Sequence, residues 1–219
     1  MKRKILRILL DVGIAAAVLI SWGSMFFSLK NGILFSRGIA SLKYYTVLSN
    51  LLLAAAALVS ALMELLSLRK EHSLFSRFSA GLSHAAVSSV LLTFLTVLVF
   101  LGPRLGYGAM YMGANLWLHL ILPLAGMFVF VLLNRQALDK RSDFTALIPT
   151  GTYAYFYIFR LLLGGRDMLR YNDWYGFVTW GYPVGIVILL LIFFITFWIA
   201  RAVRALNRGI QRRESTWQE

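Results

Sequence analysis

The chain contains no cysteine in 219 residues, which excludes disulfides, thiolate catalysis and cysteine-ligated metal sites. Acidic residues are scarce, 9 against 22 Lys and Arg, and histidine occurs three times, at His72, His84 and His119. Three imidazoles so far apart do not make a metal site. There is also no Gly-x-Ser-x-Gly elbow, no His-Glu-x-x-His zinc helix, no phosphate-cradling glycine loop and no dinucleotide fingerprint. No metal or cofactor is therefore expected. Charge itself is thin: 14% of residues are charged and 59% hydrophobic, against about 25% and 45–50% in soluble domains.

What the chain has instead is six long apolar runs, at 5–29, 44–66, 79–101, 114–134, 144–163 and 180–203. Each reaches the roughly 20 residues that a helix needs to cross a hydrocarbon core of about 30 Å. The expected architecture is all-α, a polytopic bundle of six transmembrane helices forming a single domain over residues 1–219. No internal repeat and no pair of Gly/Pro-broken half-helices marks it as a common secondary transporter.

A formal charge of +13 in a soluble protein would suggest nucleic acid as a partner. Its distribution argues otherwise. Fifteen cations fall at the two ends of the chain and in the loops on their side, six fall in the opposite loops, and Arg160 lies inside a span. Lys and Arg are retained in the cytoplasm, so both termini are expected there. The partner implied is the lipid bilayer, and no nucleic acid is expected. The basic stretch 201–213 either enforces this topology or also rests on anionic headgroups.

The opening Met1-Lys2-Arg3-Lys4 resembles a signal peptide, but its apolar run is about twice the usual length, contains Asp11, and ends in bulky Met25-Phe26-Phe27. A retained first helix is expected. Without an Asn-x-Ser/Thr acceptor or lipidation box, the pattern suits a bacterial inner (cytoplasmic) membrane.

Polar groups inside a membrane are costly and face the bundle interior. In the second span Thr46, Asn50, Leu53, Ala57, Ser60 and Glu64 recur every three or four residues as one stripe. Asn115, His119, Leu122 and Gly126 form a similar face in the fourth, and Tyr153, Tyr157 and Arg160 in the fifth. At 1.5 Å per residue, Thr46 and His119 both lie within roughly 3 to 8 Å of the outer boundary, and Arg160, about 24 Å along its helix, reaches the same layer. His84 falls in the opposite leaflet.

A threonine hydroxyl becomes a nucleophile only when a base removes its proton and donors stabilise the oxyanion. His119 is the one imidazole at the right depth to be that base. No carboxylate is embedded beside it; Asp167 and Asp173 in the last loop are the nearest, and Asn50, Asn115 or a tyrosine are alternatives for orienting the ring. Pro123 has no N–H to give the His119 carbonyl, so a kink and a polar, hydrated neighbourhood are expected there. Each group also has a structural reading. Thr46 can bond its own preceding turn, Arg160 can snorkel, Asp11 can pair with Arg7, Glu64 can be solvated, and loop Tyr and Trp can form an interfacial belt.

The run Lys43-Tyr44-Tyr45-Thr46-Val47-Leu48-Ser49-Asn50-Leu51-Leu52 resembles the Tyr/Phe-x-Thr-x-x-Ser-Asn segment of the androgen-induced-protein-like membrane family. Leu118-His119-Leu120-Ile121-Leu122-Pro123 resembles its His-x-x-x-Pro segment. Pro149, Tyr153, Tyr157, Arg160, Gly164 and Trp174-Tyr175 are similar to its fifth helix and aromatic loop, although Tyr171-Asn172-Asp173-Trp174-Tyr175-Gly176 lacks the proline that bacterial members often carry there. The resemblance implies a multipass hydrolase that cleaves fatty-acid esters of hydroxy fatty acids, with Thr46 as nucleophile and His119 as base. Its substrate-binding or orienting residues would be Asn50, Asn115, Tyr153, Tyr157, Arg160, Asp173 and Trp174. The rival expectation is a non-catalytic lipid-binding or transport bundle whose polar residues, including Glu64, His84 and Ser88 in the other leaflet, line a passage. A purely structural scaffold is the third.

Overall fold

The computed structural model describes residues 2–27, 37–67, 73–163 and 172–216. Among them there are no strands, and six helices are long and apolar enough to cross a membrane. We label them α1 (Lys2–Phe26), α2 (Tyr45–Ser67), α3 (Ser73–Thr96), α4 (Ala114–Leu133), α5 (Ile148–Leu163) and α6 (Tyr182–Thr216). The chain is a multi-pass, all-helical membrane bundle.

α3 is its centre. Residues 83–93 are buried on every face, because α3 packs against α2, α4, α5 and α6. Around it, the peripheral helices turn Leu9, Ile20, Tyr155, Leu162 and Leu190 outward, each more than 60% exposed. Water would penalise that surface; lipid is its natural solvent. α2 packs against α1 and buries Ala54, Ala57, Ser60 and Ala61, small residues that let helix backbones approach without a hydrophobic driving force. The expected α2 stripe is the interior face: Asn50, Leu53, Ala57 and Ser60 are all buried. Gly126 on α4 lets Leu53 in, since a Cβ there would lie 3.0 Å from a Leu53 methyl.

The two chain ends meet, with Arg3 Nη1 2.7 Å from Glu214 Oε1. Both termini therefore lie at one end of the bundle, which we call the terminus end. Deeper inside it, Arg7 pairs with Glu64 at 3.0 Å and with Asp11 at 3.6 Å, while Ser60 donates to Asp11 at 2.6 Å. The Arg7–Asp11 pair is as expected; Glu64 joins it rather than standing in solvent. Arg204 meets Asp143 through Nε and Nη2, both at 2.6 Å, a bidentate pair buried between α6 and the turn before α5. α6 thus continues well past residue 203: at 35 residues it is about 52 Å long and overshoots the hydrocarbon core. The basic stretch 201–213 is helical and docked, with Arg208 donating to the Leu138 carbonyl.

Two prolines shape the opposite end by one device. Val97–Leu101, which continues α3, and Trp117–Ile121 within α4 are π-helical turns, followed by Pro103 and Pro123 respectively. In each, the residue before the proline donates five residues back: Gly102 N to Val97 O, and Leu122 N to Trp117 O. The carbonyl that the proline then fails to serve lies five residues upstream, at Leu98 and Leu118, and a side chain supplies the missing donor. Tyr107 Oη donates to Leu98 O at 2.7 Å, and Asn50 Nδ2 to Leu118 O at 3.0 Å. Next to the His119 carbonyl, where a kink and polar neighbourhood were expected, the Leu118 carbonyl thus takes its donor from Asn50. Gly102 also has to be glycine, because a Cβ would sit 2.2 Å from the Tyr107 ring.

Candidate active site

The N-terminus of α2 is held from three directions. Trp22 of α1 donates to Ser41 Oγ at 3.1 Å, anchoring the 3-10 turn Gly38–Lys43 that leads into it. Tyr175 in the last loop accepts the Tyr45 N–H at 2.8 Å, capping an otherwise unserved donor. Tyr153 of α5 donates to the Lys43 carbonyl at 2.6 Å. These contacts fix Thr46, the second residue of α2.

Thr46 and His119 line one cavity of about 100 Å³, together with Met25, Tyr44, Val47, Met110, Asn115, Leu118 and Trp174. Among the described residues, no hydrogen bond joins Thr46 to His119, and the Thr46 hydroxyl makes none to its preceding turn. The gap between them is cavity, large enough for a few waters or for an ester group.

His119 is buried, and its Nδ1 lies 2.8 Å from the Met110 carbonyl. A carbonyl can only accept, so the neutral ring carries its proton on Nδ1 and keeps the Nε2 lone pair free. That is the tautomer of a general base. The orienting partner, expected among the loop carboxylates, Asn50, Asn115 or a tyrosine, is a backbone oxygen. The residue before Met110 is held in turn by Asn115, whose Nδ2 donates to Ala109 O at 3.3 Å.

Asn50 lies directly behind the pair. Its Nδ2 donates to Thr46 O at 2.8 Å and to Leu118 O at 3.0 Å, so one amide pins the backbone of the Thr46 turn and of the π turn carrying His119. Its Oδ1 is buried without a hydrogen-bond partner among the described residues.

The aromatic residues form the wall on the α5 side. Trp174 Nε1 donates to Tyr153 Oη at 3.0 Å, and Tyr157 donates to the Asp173 carboxylate. Asp173 is occupied in folding the last loop: it also accepts the N–H groups of Phe177 at 2.8 Å and Val178 at 3.0 Å. It does not orient His119. Asp167, the other expected carboxylate, lies outside the described residues. Burial pushes the Tyr175 phenol well above its ordinary range, so it stays a neutral hydroxyl.

Thr46 also borders a second, apolar cavity of about 70 Å³, lined by Leu92, Thr96, Tyr153, Tyr157, Phe177 and Leu189 among others. Beside it a groove of about 480 Å³ runs between α2 and α5, walled by Leu42, Leu48, Leu52, Pro149, Tyr153 and Phe156. Leu48 and Phe156 are exposed there, so the groove faces lipid.

Of the residues expected at the site, Thr46, His119, Asn115 and Trp174 share the cavity and Asn50 braces it. Tyr153, Tyr157 and Asp173 build the neighbouring wall. Arg160 stands apart: it is exposed, lines none of these cavities, and among the described residues meets the last loop through its carbonyl, which accepts from Asn172 at 2.9 Å. His84 is far from the site, its Nε2 2.8 Å from Ala200 O. The Met110 carbonyl escaped sequence reading because any residue type supplies one. Among the described residues, no group of three or more His, Asp or Glu has a metal-binding arrangement.

The fold and site together define a polytopic α-helical membrane protein with a hydroxyl and an imidazole in a shared cavity. No protein-family model, curated protein or solved structure matches the chain.

Proposed function

We propose that the protein is an intramembrane hydrolase of fatty-acyl esters, of the hydroxy-fatty-acid ester type, with Thr46 as nucleophile and His119 as base. The observation that carries this reading is the shared cavity, in which the Met110 carbonyl leaves His119 Nε2 unprotonated and free to accept. The acyl chain lies in the apolar groove between α2 and α5 and presents its ester past Tyr153 to Thr46. Thr46 Oγ1 attacks the ester carbonyl carbon as its proton passes to His119 Nε2. The tetrahedral oxyanion collapses, the C–O bond to the alcohol breaks, and the alkoxide takes that proton. Water, deprotonated by the same imidazole, then attacks the acyl-threonine and releases the carboxylic acid and the free hydroxyl. The aromatic wall keeps bulk water from the intermediate.

The cation distribution supports a terminus end in the cytoplasm and a site near the outer leaflet of the inner membrane. Fatty-acid esters of hydroxy fatty acids, presented in nanodiscs, test the reaction. Release of free acid is expected from the wild type, with at least about a 100-fold loss in Thr46→Ala and in His119→Ala; equal release by the variants overturns the assignment.

A non-catalytic lipid-binding or transport role is the second reading. It is favoured by the absence of a direct Thr46–His119 bond and by further voids along the α2 stripe beside Leu53, Asp11 and Glu64. It predicts lipid affinity without turnover, unchanged in Thr46→Ala.

A further inference from the structure

At the terminus end a crevice of about 450 Å³ opens between α1, α2, α3 and the segment after α4. Its lining carries four cations, Arg3, Lys4, Arg7 and Arg135, and one carboxylate, Glu64. Counting the acidic partners behind the wall leaves a surplus: Asp11 and Glu64 are both engaged by Arg7, and Glu214 is shared by Arg3 and Arg135. Lys4 has no carboxylate partner among the described residues, and its ammonium meets only Ser67, at Oγ (3.2 Å) and O (3.3 Å).

Donors are left over as well. Arg3 Nε is buried without a hydrogen-bond acceptor among the described residues; Arg7, 7% exposed, keeps its Nε 3.6 Å from Asp11 Oδ2, an ion-pair distance longer than a hydrogen bond. A guanidinium N–H removed from water and left unserved is unfavourable, more so than a neutral donor. Three guanidinium groups, an unpaired ammonium and the Ser79 hydroxyl around one concavity suit a compact polyoxygen anion, since guanidinium forks and ammonium charge both match phosphate geometry.

We propose that this crevice is a binding site for a phosphate-bearing anion, either the headgroup of an anionic glycerophospholipid or a free phosphate. The site is separate from the Thr46–His119 cavity and shares no lining residue with it. Bound there, the anion meets the cations that line the crevice and ties α1 to the start of the α4–α5 connection. Position favours the lipid source, because the crevice lies where the helices leave the hydrocarbon and Lys4 and Arg135 are exposed at its rim.

The test uses the full chain in phosphatidylcholine nanodiscs. In one arm phosphatidylglycerol is added and lipid retained by the released protein is counted by native mass spectrometry. In the other, inorganic phosphate is titrated against chloride at equal ionic strength, with the unfolding midpoint as readout. Saturable retention of the anionic lipid is expected, weakened about fivefold by Lys4→Gln and again by Arg135→Gln, and kept by Lys4→Arg. Both positions are exposed, so the variants fold. Phosphate that raises the midpoint and competes with phosphatidylglycerol identifies a general phosphate site; retention of the lipid without a phosphate effect identifies the headgroup as the ligand. Binding of neither above the phosphatidylcholine and chloride background, or binding unchanged in the Lys4→Gln/Arg135→Gln double variant, overturns the proposal.

Discussion

Asn50 is where structure and chemistry are coupled most tightly. One amide serves the carbonyls of Thr46 and Leu118, so it spans the two helices that carry the reactive pair. Asn50→Ala leaves the Leu118 carbonyl buried with neither an intrahelical donor nor a side-chain one. A loss of about 1–3 kcal/mol is expected, read as a lower unfolding midpoint in detergent. Activity falls further than stability explains, because the π turn is free to drift. At Thr46 itself, Thr46→Ser retains the hydroxyl and measurable turnover, whereas Thr46→Ala abolishes turnover without moving the midpoint. An alanine variant that turned over like the wild type would remove the nucleophile from the scheme. At the other end, Asp143→Ala strands the Arg204 guanidinium, and about 3–5 kcal/mol of stability is expected to go with it, while the Asp143→Leu/Arg204→Met double variant recovers most of that.

At the scale of the helix, the two proline-linked π turns are the feature that hydropathy does not reveal. Pro123→Ala restores an N–H at 123 and allows the segment to return to α register. One residue of register rotates everything upstream by about 100°, which carries His119 away from the Met110 carbonyl. The variant is expected to fold at least as well as the wild type and to lose activity, a separation readable by comparing unfolding midpoint with hydrolysis rate. Full activity in Pro123→Ala would mean that the π turn does not position the base.

The six spans were legible because each apolar run is long and uninterrupted, and the α2 stripe because its polar residues recur at helical spacing. The continuation of α6 beyond 203 was not, since its last turns are polar and become helical by docking Arg204 and Arg208 against the α4–α5 connection. Depth, a helix face shared with Tyr153 and Tyr157, and the family resemblance grouped Arg160 with Thr46 and His119. Depth is one coordinate of three, and the exposed face of α5 takes Arg160 out of the cavity. The orienting group for His119 was expected among loop carboxylates, Asn50, Asn115 or a tyrosine, whereas a main-chain oxygen holds it. That the Leu118 carbonyl takes its donor from Asn50 on another helix is something no local pattern encodes.

For the whole molecule, the arrangement is a bundle with two unlike ends. The end opposite the termini gathers aromatic rings and neutral hydroxyls around Thr46 and His119; the terminus end gathers guanidinium groups and carboxylates. Such polarity matches an orientation with the cationic end inside, and the absence of cysteine makes it directly measurable. In intact cells, Met112→Cys, at a 65% exposed position in the connection before α4, is expected to react with an impermeant maleimide. Lys2→Cys is expected to react only after permeabilisation. The reverse pattern would invert the bundle and put the Thr46 cavity on the cytoplasmic side.

The most direct measurement of the central claim is intact-mass analysis of the purified protein after exposure to a lipid-like fluorophosphonate, beside Thr46→Ala and His119→Ala. A single adduct mapping to Thr46 in the wild type, and missing from both well-folded variants, is the expected result. A wild-type protein that stays unmodified, or an adduct that persists in Thr46→Ala, would contradict an activated threonine and leave the cavity as a binding site.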